Sequence, residues 1–114
     1  MLKDDWVYAG HMLDMCQQAL DITVGKDKET YDQDVTLRLA LTHLVQMVGE
    51  AAQHTSKQFR EDHPEIPWRE VIGMRLRIVH DFLKVDEEVV SQVVQEDLPQ
   101  LIAKLRSSIP SEYQ

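Results

Sequence analysis

Hydrophobic positions along the chain recur mostly at three- and four-residue intervals, the periodicity of amphipathic helices. Over residues 4–24, Trp6, Ala9, Leu13, Cys16, Leu20 and Val24 form one such stripe. Gly25 and the polar run 26–29 end it. Thr30 and Gln33 have the spacing of a capping box and open a second predicted helix, running to about residue 60. Its apolar face carries Leu37, Leu41, Leu44, Val48, Ala52 and Phe59. A helix of that length spans roughly 45 Å, long for so small a chain. Either part of it serves a partner subunit or Gly49 lets it bend, and Ala51 and Ala52 offer a close approach to another helix.

His63-Pro64-Glu65-Ile66-Pro67 reads as a rigid non-helical link, since each proline disfavours helical geometry in the residue before it. A third helix is predicted over 67–83, with Val71, Met74, Ile78 and Phe82 as its core stripe, followed by a short turn at Lys84 and Val85. Asp86 caps a fourth helix whose stripe is Val90, Val93, Val94, Leu98, Leu101 and Leu105. Pro99 predicts a kink there, or a restart capped by Asp97. No segment alternates with period two, and there are no internal repeats. The expectation is all-α: a four- to five-helix, mostly antiparallel bundle forming a single domain over 1–106, with 107–114 as a frayed tail.

A chain of 114 residues is enough for one shared core. Its net charge of −8 argues against a broadly basic nucleic-acid face. Yet Lys57, Arg60, Arg69, Arg75, Arg77 and Lys84 place half of the 12 basic residues between 57 and 84, which allows a local basic site. Cys16 is the single cysteine and excludes an internal disulfide, as in a reducing compartment. No apolar run approaches the roughly 18 residues of a membrane span, and the amino terminus MLKDDWVYAG is charged where a secretory signal is apolar. A cytoplasmic protein without membrane contact is expected.

The third predicted helix carries an anomaly. At ~100° per residue, Arg75 falls inside the core stripe, ~40° from Val71, while His80 lies ~140° around from Arg75 and ~7.5 Å along the axis. A guanidinium on an apolar face must be paired or exposed in a cleft. Spacing alone favours the plainer reading, a structural ion pair and a surface histidine. The chemical reading is that histidine moves protons near neutral pH while arginine stabilises the charge of a phosphoryl transition state. Such a pair is suited to cleaving RNA without a metal. Asp81, beside His80, could orient it or be an ordinary surface carboxylate.

The segment VGEAAQHTSKQFREDHPEIPWREVIGMRLRIVHDF, 48–82, resembles the HepT-like branch of the HEPN family. In that branch a GEAA helix, a PEIPW link and an R-x4-H-D-Y signature follow in this order; here the signature runs Arg75-Leu76-Arg77-Ile78-Val79-His80-Asp81-Phe82. EDLPQL at 96–101 matches as well. The resemblance implies a helical homodimer with two R-x4-H motifs at its interface, metal-independent ribonuclease activity toxic to the host, and a minimal nucleotidyltransferase antitoxin as partner. It makes Arg75 and His80 the catalytic residues. Two positions depart from the pattern. Leu76 stands where a polar residue is usual, and Phe82 takes the place of a tyrosine that the partner can adenylylate. A non-catalytic interaction subunit of the same fold is the alternative.

Other constellations are weaker. His43 and His54 lie 11 residues apart on the second predicted helix, too far apart to share a metal, and no ligand set completes either. Glu50 sits off the apolar stripe, facing a partner helix or solvent. No glycine-rich phosphate loop is present, so no cofactor is expected.

Overall fold

The computed structural model describes residues 3–81 and 84–114, without the side chains of 3, 79–81 and 84. The helix α1 (Lys3–Thr23) packs along α3 (Val35–His54) and against α8 (Leu98–Ser108). Ala9, Met12, Cys16, Val45, Val48, Leu98 and Leu105 are buried at these contacts. The thinnest dimension is 19 Å, roughly two helix diameters, so the long helices each keep one face on the outside. The all-α class holds, with one short two-stranded ladder added.

Several expected helices are divided. The second breaks into α2 (Lys28–Gln33), α3 and α4 (Lys57–Asp62). The breaks are local: Asp27, Asp34 and Ser56 each accept a backbone N–H three residues on and cap a new helix. Asp27, not Thr30, opens α2, so the capping box is not used. Thr55 accepts an extended conformation between α3 and α4, and the buried Asp5 of α1 braces this corner. Its Oδ1 accepts the Ser56 backbone N–H and its Oδ2 the Ser56 hydroxyl, each at 2.7 Å. Helix α1 ends at Thr23, and the chain turns at Gly25 with φ 75°, leaving Val24 exposed rather than on the stripe.

Helix α3 runs unbroken through Gly49. A Cβ there would meet Val71 O at 3.0 Å, so the missing side chain allows α5 (Trp68–Ile72) to rest backbone-close on α3. The link before α5 is pinned by the buried Ile66 and Trp68, whose Nε1 donates to His63 O at 2.9 Å. Glu65 accepts the Ser108 hydroxyl at 2.6 Å, which holds its carboxyl below the usual range and ties the link to α8.

The third expected helix stops early. It divides at Gly73 into α5 and α6 (Met74–Ile78), and β1 (Val79–Asp81) then pairs antiparallel with β2 (Lys84–Val85). The Ile78 carbonyl accepts the Asp86 N–H, so the returning chain satisfies a group that a further helical turn would have used.

Asp86 caps α7 (Glu87–Gln92) as expected, accepting from Val89 N. Beyond it the helical path continues through a π-helical turn, Val93–Asp97, into α8, with Pro99 in the first turn. Asp97 makes no cap bond, because its carboxylate accepts from Arg77 instead. The segment expected to fray, 107–114, instead lies on the fold. Ser107 and Ser108 complete α8, Ile109 is buried, and Tyr113 in the final 3-10 turn stacks on Trp6 at 6.3 Å. No helix among the described residues is long and apolar enough to cross a membrane.

Candidate active site

Arg75 does not lie in the core stripe. On α6 only Met74 and Ile78 point inward, and Arg75, Leu76 and Arg77 are exposed, with Leu76 82% accessible. The division at Gly73 reduces α6 to little more than one turn, too short to carry the broad apolar face that a continuous helix would need. The buried set Val71, Met74, Ile78 is as expected; Arg75 falls at its edge and takes the solvent side, where its charge keeps its hydration.

The two arginines of α6 then differ. Arg77 Nη1 donates to Asp97 Oδ2 at 3.1 Å, bracing α6 against the π-helical turn. Arg75 has no ion pair or hydrogen bond among the described residues. It borders a pocket of about 440 Å³ with Gln46, Met47 and Glu50 of α3. The α3–α5 contact at Gly49 sets this arrangement, since α6 follows α5 directly and Glu50 is the next residue of α3. Sequence reasoning left Glu50 open between a partner helix and solvent, and it missed Gln46 and Met47. Their signal was the outward face of α3, where Leu39, His43, Gln46 and Glu50 recur at helical spacing.

His80 lies in β1, on extended backbone rather than on a helix, so the angular offset derived from one continuous helix does not apply. The side chains of His80 and Asp81, and Phe82 altogether, lie outside the described residues. Among the other basic residues of 57–84, Arg60 and Lys57 are engaged elsewhere. Arg60 donates to the carbonyls of Ala52, Gln53 and Thr55, where it caps the end of α3. Lys57 pairs at long range, 3.9 Å, with Glu61. His43 and His54 are both exposed, and among the described residues no group of His, Cys, Asp and Glu side chains comes together to hold a metal ion.

A family profile described as "Ribonuclease HepT-like" matches residues 12–108, most of the chain and all of the candidate site. The chain belongs to the HepT-like family. Among its relatives, "Putative RNase TTE0752" of Caldanaerobacter subterraneus is 27% identical over 111 residues, covering 97% of this chain and 99% of that protein. "Probable ribonuclease HepT" of Thermococcus cleftensis is 37% identical over 71 residues, 62% of this chain and 64% of the relative. "Putative RNase MJ1380" of Methanocaldococcus jannaschii is 26% identical over 99 residues, 87% of this chain and 91% of the relative. No solved structure gives a significant match. The family and these relatives support endoribonuclease activity for a HepT-like chain of this kind.

Proposed function

We propose that this HepT-like chain is a metal-independent endoribonuclease, the toxin of a prokaryotic toxin–antitoxin pair, and that it acts as a homodimer. The observation that carries this reading is the state of Arg75. The exposed guanidinium makes no hydrogen bond or ion pair among the described residues and borders a pocket, which leaves its donors open to a phosphate. Arg77, two residues on, fills the structural role.

In the proposed reaction the ribose 2′-hydroxyl attacks the adjacent phosphorus and the bond to the 5′-oxygen breaks. The products are a 2′,3′-cyclic phosphate and a 5′-hydroxyl. The 2′-hydroxyl gives up a proton and the leaving oxygen gains one; His80 moves these protons. Arg75 stabilises the extra negative charge on the phosphoryl oxygens as it develops. Two R-x4-H motifs meeting across a two-fold axis supply two imidazoles, one for each proton transfer. Leu76, exposed beside Arg75, favours such an interface, because a large apolar side chain next to the reactive arginine is covered when a second copy docks.

The antitoxin in this reading is a minimal nucleotidyltransferase. Phe82 has no hydroxyl to accept an adenylyl group, so the partner controls the toxin by binding or by modifying another residue. The exposure of Leu76 also favours the second reading, a HepT-fold subunit that binds a partner without cleaving RNA. Expression of the wild type beside His80→Ala separates the two, with growth and RNA integrity followed together. Growth arrest and RNA breakdown confined to the wild type support the ribonuclease; intact RNA with both proteins supports the interaction subunit, and equal RNA breakdown by both removes His80 from the site.

A further inference from the structure

The geometry points to a guanine-binding subsite in the pocket formed by Gln46, Met47, Glu50 and Arg75, which makes the proposed ribonuclease selective for guanosine next to the cleaved phosphate. This rests on the ribonuclease reading for its reaction but not for its binding. The pocket holds about 440 Å³, room for a nucleobase. Among the described residues three polar side chains border it, Gln46, Glu50 and Arg75, and none of the three side chains has a hydrogen-bond or ion-pair partner there. Opposite charges around one pocket that do not pair with each other suit a ligand presenting an anion to the arginine and donors to the carboxylate.

A nucleotide has both features, and the carboxylate chooses among the bases. Ionised Glu50 only accepts hydrogen bonds, through two oxygens. Guanine presents two adjacent donors on its Watson–Crick edge, N1–H and the N2 amine, matching a carboxylate with two parallel bonds. Adenine and cytosine place an unprotonated ring nitrogen beside their amine, which repels the second oxygen, and uracil has one N–H between two carbonyls. Gln46, one turn earlier on the same face of α3, has an amide N–H for guanine O6. Met47 supplies a polarisable apolar wall for the ring. Bases in single-stranded RNA are commonly read in this way, by edge hydrogen bonds and contact with the ring face. With the phosphate at Arg75 and the base at Glu50, one nucleotide spans α6 and α3.

The test is titration of the purified protein with GMP, AMP, CMP and UMP, followed by calorimetry and by amide chemical shifts. GMP is expected to bind at least tenfold tighter than the other three, with the largest shifts at 46–50 and around 75. Glu50→Gln and Glu50→Ala, at an exposed position, should keep the helical circular-dichroism signal and bring GMP down to the level of the others. Equal affinities in the wild type, no binding of any of the four, or a GMP preference that survives both substitutions overturns the proposal. Mapping of RNA cut sites separates the two readings. A wild type that cuts RNA without favouring guanosine keeps the ribonuclease and removes the subsite. Selective GMP binding without cleavage does the reverse.

Discussion

Arg77 Nη1 reaches Asp97 Oδ2 at 3.1 Å, whereas Arg75, two residues earlier on the same short helix, makes no such bond among the described residues. Both members of the pair are partly open to solvent, which limits its worth to about 1 kcal/mol or less. Arg77→Ala should therefore lower stability slightly and leave RNA cleavage in place. Arg75→Ala should change stability by no more than about 0.5 kcal/mol and abolish cleavage. Urea unfolding and a cleavage assay on both variants check this. A stable, inactive Arg77→Ala beside an active Arg75→Ala would reverse the assignment.

Gly49→Ala tests how the site is positioned. In the interior of an exposed helix, glycine to alanine stabilises by about 0.5–1 kcal/mol. Here the new methyl would sit 3.0 Å from Val71 O, and α5 is pinned through Trp68 and cannot retreat freely. The expected result is a loss of about 1 kcal/mol, with reduced cleavage as α6 shifts against α3. A higher melting temperature with full activity would show that the α3–α5 contact does not set the site.

Much of this arrangement was legible in the chain and part was not. The stripe of α1, the Asp86 cap and the core positions of α8 follow directly from spacing and from caps next to them in sequence. The breaks at Asp34 and Ser56 were also written locally, as a capping residue three places before Leu37 and before Phe59. The broad apolar face continues across both breaks and hid them. One uninterrupted helix through Gly73 would turn Arg75 inward, and the division there is not signalled by the apolar stripe, which runs on through Met74 and Ile78. The pocket shared by Glu50 and Arg75 could not be read at all, since it depends on α5 lying against Gly49. The bond between Asp5 and Ser56, 51 residues apart, has no local signal.

Asp5 is 3% exposed and its carboxylate accepts two hydrogen bonds from Ser56. Asp5→Ala leaves the Ser56 N–H and hydroxyl without that partner at a closed corner, a cost of about 2–3 kcal/mol. Asp5→Asn keeps one acceptor and should recover part of the loss. Urea midpoints for the two variants and Ser56→Ala check this; an Asp5→Ala protein as stable as the wild type would contradict the bracing role.

Cys16 is fully buried, and burial pushes its thiol up to about 12 from 9.0. The unfolded chain releases this proton near 9, while the folded protein holds it to about 12. Because the folded state carries the extra proton in that window, stability falls as pH rises through it, by ~1.4 kcal/mol per unit from this group. Below pH 9 the contribution is fully present. Unfolding free energies from pH 8 to 11 should decline more steeply for the wild type than for Cys16→Ala. At pH 8 the native protein should resist a thiol reagent that modifies it once unfolded. Parallel pH profiles for the two proteins would count against this.

The most direct test of the ribonuclease account is incubation of purified wild type, Arg75→Ala and His80→Ala with single-stranded RNA in excess chelator, with the product ends identified by mass spectrometry. Fragments ending in 2′,3′-cyclic phosphate from the wild type alone, with all three proteins equally helical by circular dichroism, are the predicted result. Cleavage by His80→Ala or Arg75→Ala at the wild-type rate, or wild-type cleavage that stops when metal is chelated, would contradict it.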